Sequence, residues 1–403
     1  MFFQPWSFAE PDFLIVLVAR SFALRLLTAL LVCAVVITLD VVRRPAPAPM
    51  AQALWPATAA AASGIALTRT DGGQIPMPAN TLSAHASSLL ALPASRSASL
   101  LAFWFAGTRE SAADVQIAAS SFDRASQQWS VARFVVSRHA LGDQLGFGVR
   151  RLGNPVAWLD GTGRIHLFVV TTGLGGWAAA RIVHLRQSRV GQDFADLSFE
   201  AGQVLPLSWL WNTSFLVRTA ALPLRDGGMV LPVHFEMGLK YPVALRFDAS
   251  GEFLGLTRIS RRNYLLQPTL LMATESNWLA LMRDQRIDGK VAVAQTLDGG
   301  QNWTDLDDLS LHNPDSSVAG LALAPGLMFL THNSTPQGRT VLDLSASVDG
   351  RAWSLAQPLA HGAGRDEYSY PAMAWVDDSL WVSYTDQRKA IAWQRFSSSA
   401  LAH

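Results

Sequence analysis

The sequence predicts an all-β protein, a six-bladed β-propeller of four-stranded blades, with one apolar helix at its N-terminus. The first observation is a short turn phrase that recurs and closes on Phe253, Trp303 and Trp353, fifty residues apart. A repeat of this period is typical of an array of similar supersecondary units. Residues 65–396 hold six to seven such periods, which fits six blades around a central channel.

The second observation is a set of short strand-like runs between turn signals. Apolar, β-branched and aromatic residues dominate these runs, for example at 100–105, 165–170 and 380–384. No long amphipathic helical pattern occurs in the sequence after residue 65. The globular part is therefore expected to consist of strands and turns.

The recurrent phrase has the chemistry of a tight turn. Its best copy runs from Thr296 to Trp303 and combines a hydroxyl, an aspartate, two glycines and a closing tryptophan. The carboxylate can accept backbone N–H bonds, glycine tolerates positive φ, and the tryptophan packs against the blade. Less regular copies lie at 121–129, 247–253 and 347–353. We expect these residues to be structural and to lie at the outer rim, away from the functional site.

The N-terminal segment is predicted to be a membrane helix. Leu26–Leu39 is an uncharged and mostly apolar run, with Arg20 and Arg25 before it. A span needs about 20 residues, and extension back to Phe13 provides them. An uncleaved anchor is favoured over a cleaved signal peptide, because no small-x-small cleavage motif directly follows the run. We expect a single-pass protein of the inner (cytoplasmic) membrane, with the propeller on the periplasmic or extracellular side. Cleavage would instead give a secreted or periplasmic protein.

These patterns divide the chain into three parts. Residues 1–44 are predicted to be the membrane anchor or signal segment, and residues 65–403 the propeller. Residues 45–64 are rich in alanine and proline, which is typical of a linker, and we expect them to hold the propeller off the membrane.

Composition narrows the classes of partner. The net charge is +1, so nothing in the overall charge predicts binding to nucleic acid. The nine histidines form no cluster with ligand spacing, so we expect neither a metal nor another cofactor. The single cysteine, Cys33, lies in the apolar N-terminal run, which leaves the propeller without a disulfide in any compartment.

Polar phrases between the predicted strands carry the most specific signal. The most distinctive are Trp-Phe-x-Gly-Thr-Arg-Glu-x-Ala-x-Asp-Val at 104–115 and Glu-Tyr-Ser-Tyr-Pro at 367–371. Shorter phrases lie at 153–155, 211–214, 234–236, 266–268, 283–284 and 313–314. Together with the turn phrase, which reads as an Asp-box, they resemble the "predicted neuraminidase" group of BNR-repeat proteins in the sialidase superfamily. The resemblance extends over about residues 83–396.

This resemblance implies a carbohydrate site with defined roles. Sialidases clamp the substrate carboxylate with three arginines, whose forks match it, and use an aspartate as acid/base. Their nucleophile is a tyrosine, which a glutamate activates and which an anionic substrate does not repel. By order and spacing, Arg283 and Arg339 resemble two clamp arginines, and Asp114 resembles the acid/base. Tyr368 and Tyr370 both fall in the nucleophile region, and the choice between them stays open.

Three positions depart from the sialidase pattern. His85 stands where the first clamp arginine is expected, and its side chain can be neutral or charged near pH 7. Gln267 stands where the activating glutamate is expected and cannot act as a base. Asn154 replaces a second aspartate. Glu236 is a further candidate acid or base. The remaining candidate substrate contacts are Arg109, Glu110, Asn212 and Arg388.

The main functional prediction is a sialidase-like glycoside hydrolase acting on an acidic sugar or on an envelope or extracellular polysaccharide. Because of Gln267 and His85, we expect little hydrolysis of ordinary α-sialosides. One alternative is a non-catalytic propeller that binds glycan or serves as a scaffold in a membrane polysaccharide-assembly system. Another is a lyase on a uronate polymer, in which His85 or a tyrosine abstracts a proton.

Overall fold

Six antiparallel sheets follow one another along the chain in a computed structural model, which describes residues 11–56, 65–191 and 193–400. Each sheet is a blade. The innermost strand is the first of its blade along the chain, except in blade 6, where β24 is innermost and β1 outermost. The predicted six-bladed β-propeller is confirmed.

The first three blades contain these strands. Blade 1 is built from β2 (Ser83–Ala91), β3 (Ala98–Gly107), β4 (Gln116–Asp123), β5 (Gln128–Trp129) and β6 (Arg133–Val136). Blade 2 is built from β7 (Arg151–Leu159), β8 (Ile165–Thr172), β9 (Ala180–Gln187) and β10 (Phe199–Val204). Blade 3 is built from β11 (Phe215–Val217), β12 (Leu222–Pro223), β13 (Met229–Met237), β14 (Leu239–Phe247) and β15 (Phe253–Arg258).

The other three blades complete the ring. Blade 4 is built from β16 (Leu265–Met272), β17 (Trp278–Asp284), β18 (Ala292–Thr296) and β19 (Thr304–Leu306). Blade 5 is built from β20 (Ala319–Ala324), β21 (Leu327–His332), β22 (Val341–Ser347) and β23 (Ser354–His361). Blade 6 is built from β24 (Tyr368–Val376), β25 (Ser379–Asp386), β26 (Ala390–Ala400) and β1 (Ile65–Gln74).

Blade 6 closes the ring by joining the two ends of the propeller. Its outermost strand, β1, comes from the beginning of the domain and pairs antiparallel with β26. The pairing covers the free edge of β26, so the last blade gains its fourth strand from the first segment of the chain.

Large apolar side chains fill the spaces between neighbouring blades. At the boundary of blades 1 and 6, the Phe122 ring lies 4.7 Å from that of Trp381, which stacks on Trp393 at 5.2 Å. Trp104 and Trp278 are fully buried in the wall of the propeller. Because both faces of each blade pack against a neighbour, the inner strands are buried on both sides and show little alternation.

The Asp-box turns lie where the sequence places them. In the best copy, Asp298 accepts hydrogen bonds from the Thr296 hydroxyl at 2.8 Å and from the Asn302 backbone at 2.9 Å. The Trp303 indole donates to the Gly300 carbonyl at 3.1 Å. The turn joins the third strand of blade 4 to the fourth, at the end of the blade opposite to the start of its inner strand.

The N-terminal helix α1 (Pro11–Arg43) contains a segment that can cross a membrane. Arg20–Arg43 has 24 residues and a mean hydropathy of 2.5. This length and composition fit a membrane anchor and fit a signal sequence equally well. At the C-terminal end of the helix, Asp40 of the last turn forms an ion pair with Arg44 at 2.7 Å.

The first part of the expected linker lies against the propeller. The Leu256 backbone donates to the Ala46 carbonyl at 3.0 Å, and the Ala51 backbone donates to the Gly299 carbonyl at 3.2 Å. Ala53 forms a β-bridge with Leu224 and is buried. A side chain at Gly299 would collide with the Ala51 carbonyl, so this Asp-box glycine makes room for the strap formed by residues 46–54. Residues 57–64 of the expected linker lie outside the described part of the chain.

Candidate functional site

Four inner strands carry the same distortion near the end at which they begin. Ala86, Asn154, Gln267 and Tyr370 have positive φ values of 56°, 42°, 47° and 53°. At each of them the pairing with the second strand of the blade shifts register. Proline follows three of these residues, and proline is tolerated at a bulge because it has no ladder N–H to donate. Such bulges redirect a side chain out of the strand alternation, and strain of this kind is concentrated at functional sites.

Tyr370 is the centre of a cluster of side chains from separate blades. Its ring centroid lies 4.4 Å from that of His85. The guanidinium carbons of Arg218 and Arg339 lie 5.3 and 5.7 Å from the ring, and Arg283 is close enough to Tyr370 for the two side chains to interact electrostatically. Tyr368 lies elsewhere, with its ring 6.2 Å from that of Tyr384. Of the two candidate nucleophiles, the structure therefore brings Tyr370 to the arginines.

Arg283 is held between two acceptors. Its Nε donates to Asp315 Oδ1 at 2.6 Å and its Nη1 donates to Gln267 Oε1 at 3.2 Å. Burial lowers the pKa of Arg283, but the neighbouring Tyr370 and Asp315 outweigh burial and raise it. Gln267 thus acts here as a neutral acceptor that orients the guanidinium group.

Glu367 joins Arg339 to Arg388 at the same end of the channel. Its Oε1 accepts from Arg339 Nη1 at 3.1 Å, and its Oε2 accepts from Arg388 Nε at 2.7 Å. Burial raises the pKa of Glu367, but the hydrogen bonds from Arg388 and the charge of Arg339 outweigh it and bring the pKa down to about 2. Sequence reasoning missed this residue as a site residue, although it opens the Glu-Tyr-Ser-Tyr-Pro phrase.

His85 is a neutral residue at this site near pH 7. It is 1% exposed, and neither of its ring nitrogens has a hydrogen-bond partner among the described residues. Burial, and then the charge of Arg388, lowers the pKa of His85 to about 3. Its Nε2 lies 3.9 Å from Glu110 Oε1. A histidine in this setting does not replace the charge of a clamp arginine.

Arg218 is a cation of the site that the sequence did not reveal. It is 2% exposed and donates to the Ser87 carbonyl at 3.1 Å and to the Pro371 carbonyl at 2.9 Å. Both carbonyls come directly after positive-φ residues, so Arg218 ties the bulges of β2 and β24 together. Burial lowers the pKa of Arg218 to about 10, which leaves it charged at neutral pH. No recognisable phrase surrounds Arg218 in the sequence.

A cavity of about 460 Å³ lies beside this cluster and contains several predicted contacts. Ser83, Thr108, Arg109, Glu110, Ser111 and Arg388 line it. Arg388 Nη1 donates to Glu110 Oε2 at 2.5 Å, so the two predicted contacts are paired with each other. Arg109 is exposed and has no carboxylate partner among the described residues.

Asp114 lies in the loop between β3 and β4 and is exposed. Its carboxylate accepts hydrogen bonds from the backbone and the hydroxyl of Thr108, both at 2.9 Å. Burial raises the pKa of Asp114, but the hydrogen bonds from Thr108 together outweigh it and hold the pKa below its usual range. In this conformation Asp114 is an ionised carboxylate at neutral pH, whereas a general acid must carry a proton.

The remaining predicted residues have different surroundings. Glu236 lies 3.6 Å from His234 Nε2, and although burial raises its pKa, His234 and the charge of Arg283 lower it overall. Asn212 donates to the Leu205 carbonyl at 2.8 Å and accepts from the Leu207 backbone at 2.9 Å, which closes a loop. Asn154 contributes one of the four bulges.

Other spaces in the propeller do not combine these features. A cavity of about 20 Å³ is lined partly by Arg218, Ser88, Thr269 and Pro371, the residue after Tyr370. Another, of about 310 Å³, lies at the opposite strand ends of blades 1 and 2, far from the converging arginines. Within the described residues, no group of three or more His, Cys, Asp or Glu side chains could hold a metal ion.

Comparison with known proteins gives a family match and a fold match. Residues 98–382 match the BNR repeat-like domain family. The Hadza microbial sialidase Hz136 has a TM-score of 0.61 and 17% identity, over 79% of this chain and 66% of its own. The Trypanosoma rangeli sialidase in complex with sialic acid has a TM-score of 0.60 and 12% identity, over 83% and 59%.

A third similar structure has a chain of comparable length. It is a protein of unknown function from Dyadobacter fermentans, with a TM-score of 0.63 and 12% identity, over 83% of this chain and 99% of its own. By contrast, the chain spans about three-fifths to two-thirds of the length of the two sialidases. Comparison with curated proteins gives no match.

Proposed function

The chain belongs to the BNR repeat-like domain family, and from this premise we propose that it is a sialidase-like glycoside hydrolase acting on an acidic sugar of an envelope or extracellular polysaccharide. The observation that carries the proposal is the convergence of Tyr370 with three buried or half-buried arginines, Arg218, Arg283 and Arg339. A tyrosine surrounded by guanidinium groups is suited to a substrate that carries a negative charge.

The arginines supply recognition of the substrate carboxylate. Arg283 and Arg339 each retain N–H groups beyond those that bind Asp315 and Glu367, and guanidinium forks bind carboxylates in pairs of hydrogen bonds. Arg218 adds a buried positive charge beside the Tyr370 ring, where water screens it little. The bound complex of the Trypanosoma rangeli sialidase with sialic acid supports an acidic sugar as the substrate class.

Tyr370 is the proposed nucleophile. Its oxygen attacks the anomeric carbon, the bond to the leaving group breaks, and a water later hydrolyses the glycosyl–tyrosine bond. The hydroxyl proton is removed during attack, and because Gln267 cannot accept it, the proton passes to solvent water. The surrounding guanidinium groups stabilise negative charge as it develops on the oxygen, which substitutes in part for the missing carboxylate base.

Asp114 is the proposed acid for the leaving group. Its loop lies at the cavity that also contains Arg109 and Glu110, so a sugar bound there would cover its carboxylate. Such burial raises the pKa of a carboxyl group, so Asp114 would take up a proton from water and then donate it to the leaving group. Because His85 is neutral and Gln267 is not a base, we do not expect ordinary α-sialosides to be good substrates.

We also propose that α1 anchors the protein as a single pass in the inner membrane, with the propeller on the periplasmic or extracellular side. The length and hydropathy of Arg20–Arg43 support this placement. Removal of the helix as a signal would make the protein periplasmic or secreted. Full-length protein that stays with membranes in high salt would support the anchor, and a shortened soluble form in cells would contradict it.

A non-catalytic glycan-binding or scaffold propeller is the second candidate. Two observations favour it: Asp114 is ionised and bound to Thr108, and Arg283 and Arg339 already have carboxylate partners. In this case the site would bind an acidic glycan without cleaving it.

Turnover by matched tyrosine variants separates the two candidates. Full-length protein in non-ionic detergent is incubated with acidic oligosaccharides, and new reducing ends and unsaturated products are measured. We expect Tyr370→Phe to lose turnover by at least about a thousandfold. Tyr368→Phe, the control, should stay within about threefold because Tyr368 packs on Tyr384. Binding without cleavage of any tested sugar supports the scaffold candidate, and unsaturated products would indicate a lyase.

A further inference from the structure

A second cavity lies on the face of the propeller that carries the Tyr370 cluster. It has a volume of about 770 Å³ and surrounds the short helix α2 (Arg138–Leu145), which connects blade 1 to blade 2. Its lining includes Arg138, His139, Phe147, Arg150 and Leu174. The helix and the loop after β8 both lie at the strand ends where the inner strands begin.

Arginines around this cavity have no acidic partner. Arg138 and Arg150 line it, and neither forms an ion pair or a side-chain hydrogen bond with any described residue. Arg181 lies 5.5 Å above the Phe147 ring and likewise forms no ion pair with the described residues. Asp143 is the acidic residue in the lining, so positive charge exceeds negative charge in the groove.

This arrangement differs from that of the central arginines. Arg283, Arg339 and Arg388 each bind a carboxylate of the protein. The arginines of the outer groove are half-buried or exposed and keep their hydrogen-bond donors available. Groups of this kind attract an extended anion from solution, with a strength that falls as salt rises.

Apolar surface accompanies the charge. Leu174 is 76% exposed, and Phe147 presents its ring beside Arg181. Sugar rings have apolar faces that pack on such side chains, while their carboxylates bind guanidinium groups. The combination of unpaired guanidinium groups and exposed apolar side chains in the groove is therefore suited to an acidic polysaccharide.

The loop after β8 lies between the α2 cavity and the inner strand of blade 2, because Leu174 lines the cavity and Trp177 contacts β7. The Trp177 ring lies against Gly153, where an added Cβ would be 3.0 Å from the ring. Gly153 directly precedes Asn154, the bulged residue of β7, and the Arg151 side chain approaches Gly176 on the other side of this loop. Trp177 and Arg151 thus lie close in sequence to Leu174 and Arg150, which line the cavity, and beside the inner strand of blade 2.

We propose that the α2 groove is a polymer-binding subsite, which holds the sugars next to the one bound at the Tyr370 cluster. The ligand class is an acidic polysaccharide with a repeated carboxylate, and the groove makes the protein select a chain over a single terminal sugar. This inference rests on the proposed function of the central site, but its determinants lie in a different cavity.

Binding of oligomers of two lengths tests the groove. Full-length protein in non-ionic detergent is titrated with galacturonic acid, with its linear octamer and with neutral maltooctaose, at low and high salt. We expect wild-type protein to bind the acidic octamer at least about tenfold more tightly than the monomer, because several weak charge contacts add along the chain. This gain should shrink in high salt.

Paired variants identify the residues. Arg138→Ala/Arg150→Ala should weaken binding of the octamer by about ten- to thirtyfold and reduce its salt dependence, with little effect on the monomer. Arg189→Ala is the control, because Arg189 is exposed, forms no ion pair with a described residue and lies at the opposite strand ends. Equal loss in the control and the double variant overturns the inference, as does failure of wild-type protein to bind the acidic octamer.

Two further outcomes distinguish the α2 groove from the central site and from a lipid-binding surface. If Arg283→Ala leaves monomer binding unchanged while the groove variant still loses the octamer, the central function fails and the groove remains. If phosphatidylglycerol added to the detergent micelles displaces the octamer as effectively as polygalacturonate does, the groove recognises anionic lipid and the polysaccharide inference is wrong.

Discussion

The outer turns and the central channel of this propeller are built from similar residue types but in different ways. In the Asp-box turn of blade 4, Asp298 binds N–H groups that lie three and four residues further along the chain. In the channel, Glu367 binds Arg339 and Arg388, which come from other turns of the fold. The first kind of contact follows from a short sequence phrase, and the second depends on how blade 6 folds and packs beside blade 5.

This difference should appear in the energetics of single substitutions. A local turn contributes mainly to stability, so its loss should leave the channel intact. A channel residue contributes both to the relative position of two blades and to ligand binding. The following predictions test this division, from the largest expected effect to the smallest.

Arg218→Ala should cause the largest loss of stability among the four substitutions. It leaves the carbonyls of Ser87 and Pro371 without their donor and opens a cavity between β2 and β24. Unpaired buried polar groups cost about 1–3 kcal/mol each, so we expect a loss of about 2–4 kcal/mol in the free energy of unfolding. Denaturant unfolding measures it. An unchanged midpoint would mean that Arg218 does not tie the two bulges together.

Arg283→Ala should act on binding more than on stability. Asp315 is about half exposed and can be hydrated when its partner is removed, whereas a bound sugar carboxylate loses a charge-assisted pair. Such a pair is worth about 1.5–3 kcal/mol, or roughly a ten- to hundredfold loss of affinity. Titration calorimetry with acidic and neutral ligands of equal size measures the ratio. Equal losses for both ligands would assign Arg283 a structural role.

The sequence predicted the outer region in detail and the channel only in part. The Asp-box phrase defines a turn within eight residues, so blade number and turn position followed from it. Arg283, Arg339 and Tyr370 were found because they fall in recognisable phrases. Arg218 was missed because its role depends on two bulges that lie far away in the sequence. Glu367 was missed because its partners, Arg388 of blade 6 and Arg339 of blade 5, approach it only in the folded sheets. The strap at 46–54 was expected to be linker, since alanine and proline content does not reveal packing on another surface.

Acid should lower the free energy of unfolding, because the fold contains buried histidines that are neutral. Burial, with smaller contributions from His166 and Arg186, lowers the pKa of His184 to about 3; its ring lies 2.8 Å from His166, which in turn binds Asp160. The unfolded chain takes up a proton near pH 6.5, and the folded chain does so only near pH 3. The unfolded state therefore binds more protons in between, and stability falls as pH decreases through this window.

The size of this effect follows from the window. For a histidine that stays neutral in the folded state, the free energy of unfolding at pH 5 is about 2 kcal/mol lower than at neutral pH. His184→Phe, which can still stack on Phe168, should flatten the decline between pH 7 and pH 5. Urea unfolding at several pH values measures the slope. A slope that His184→Phe leaves unchanged would place the acid sensitivity elsewhere, with His85 as the next residue to replace.

Asp298→Ala should give the smallest effect of the four and the clearest contrast with the channel. The substitution removes the acceptor of the Thr296 hydroxyl and of the Gln301 and Asn302 backbone groups. The turn is exposed, so water replaces most of these bonds, and we expect a loss of about 1 kcal/mol in the free energy of unfolding. Affinity for an acidic oligosaccharide should stay within about twofold of wild type, because the turn lies at the far end of blade 4.

Asp349→Ala, in the equivalent turn of blade 5, should behave alike. A loss of affinity comparable to that of Arg283→Ala would contradict the division, since it would mean that the outer turns position the channel residues as well as stabilise their own blades.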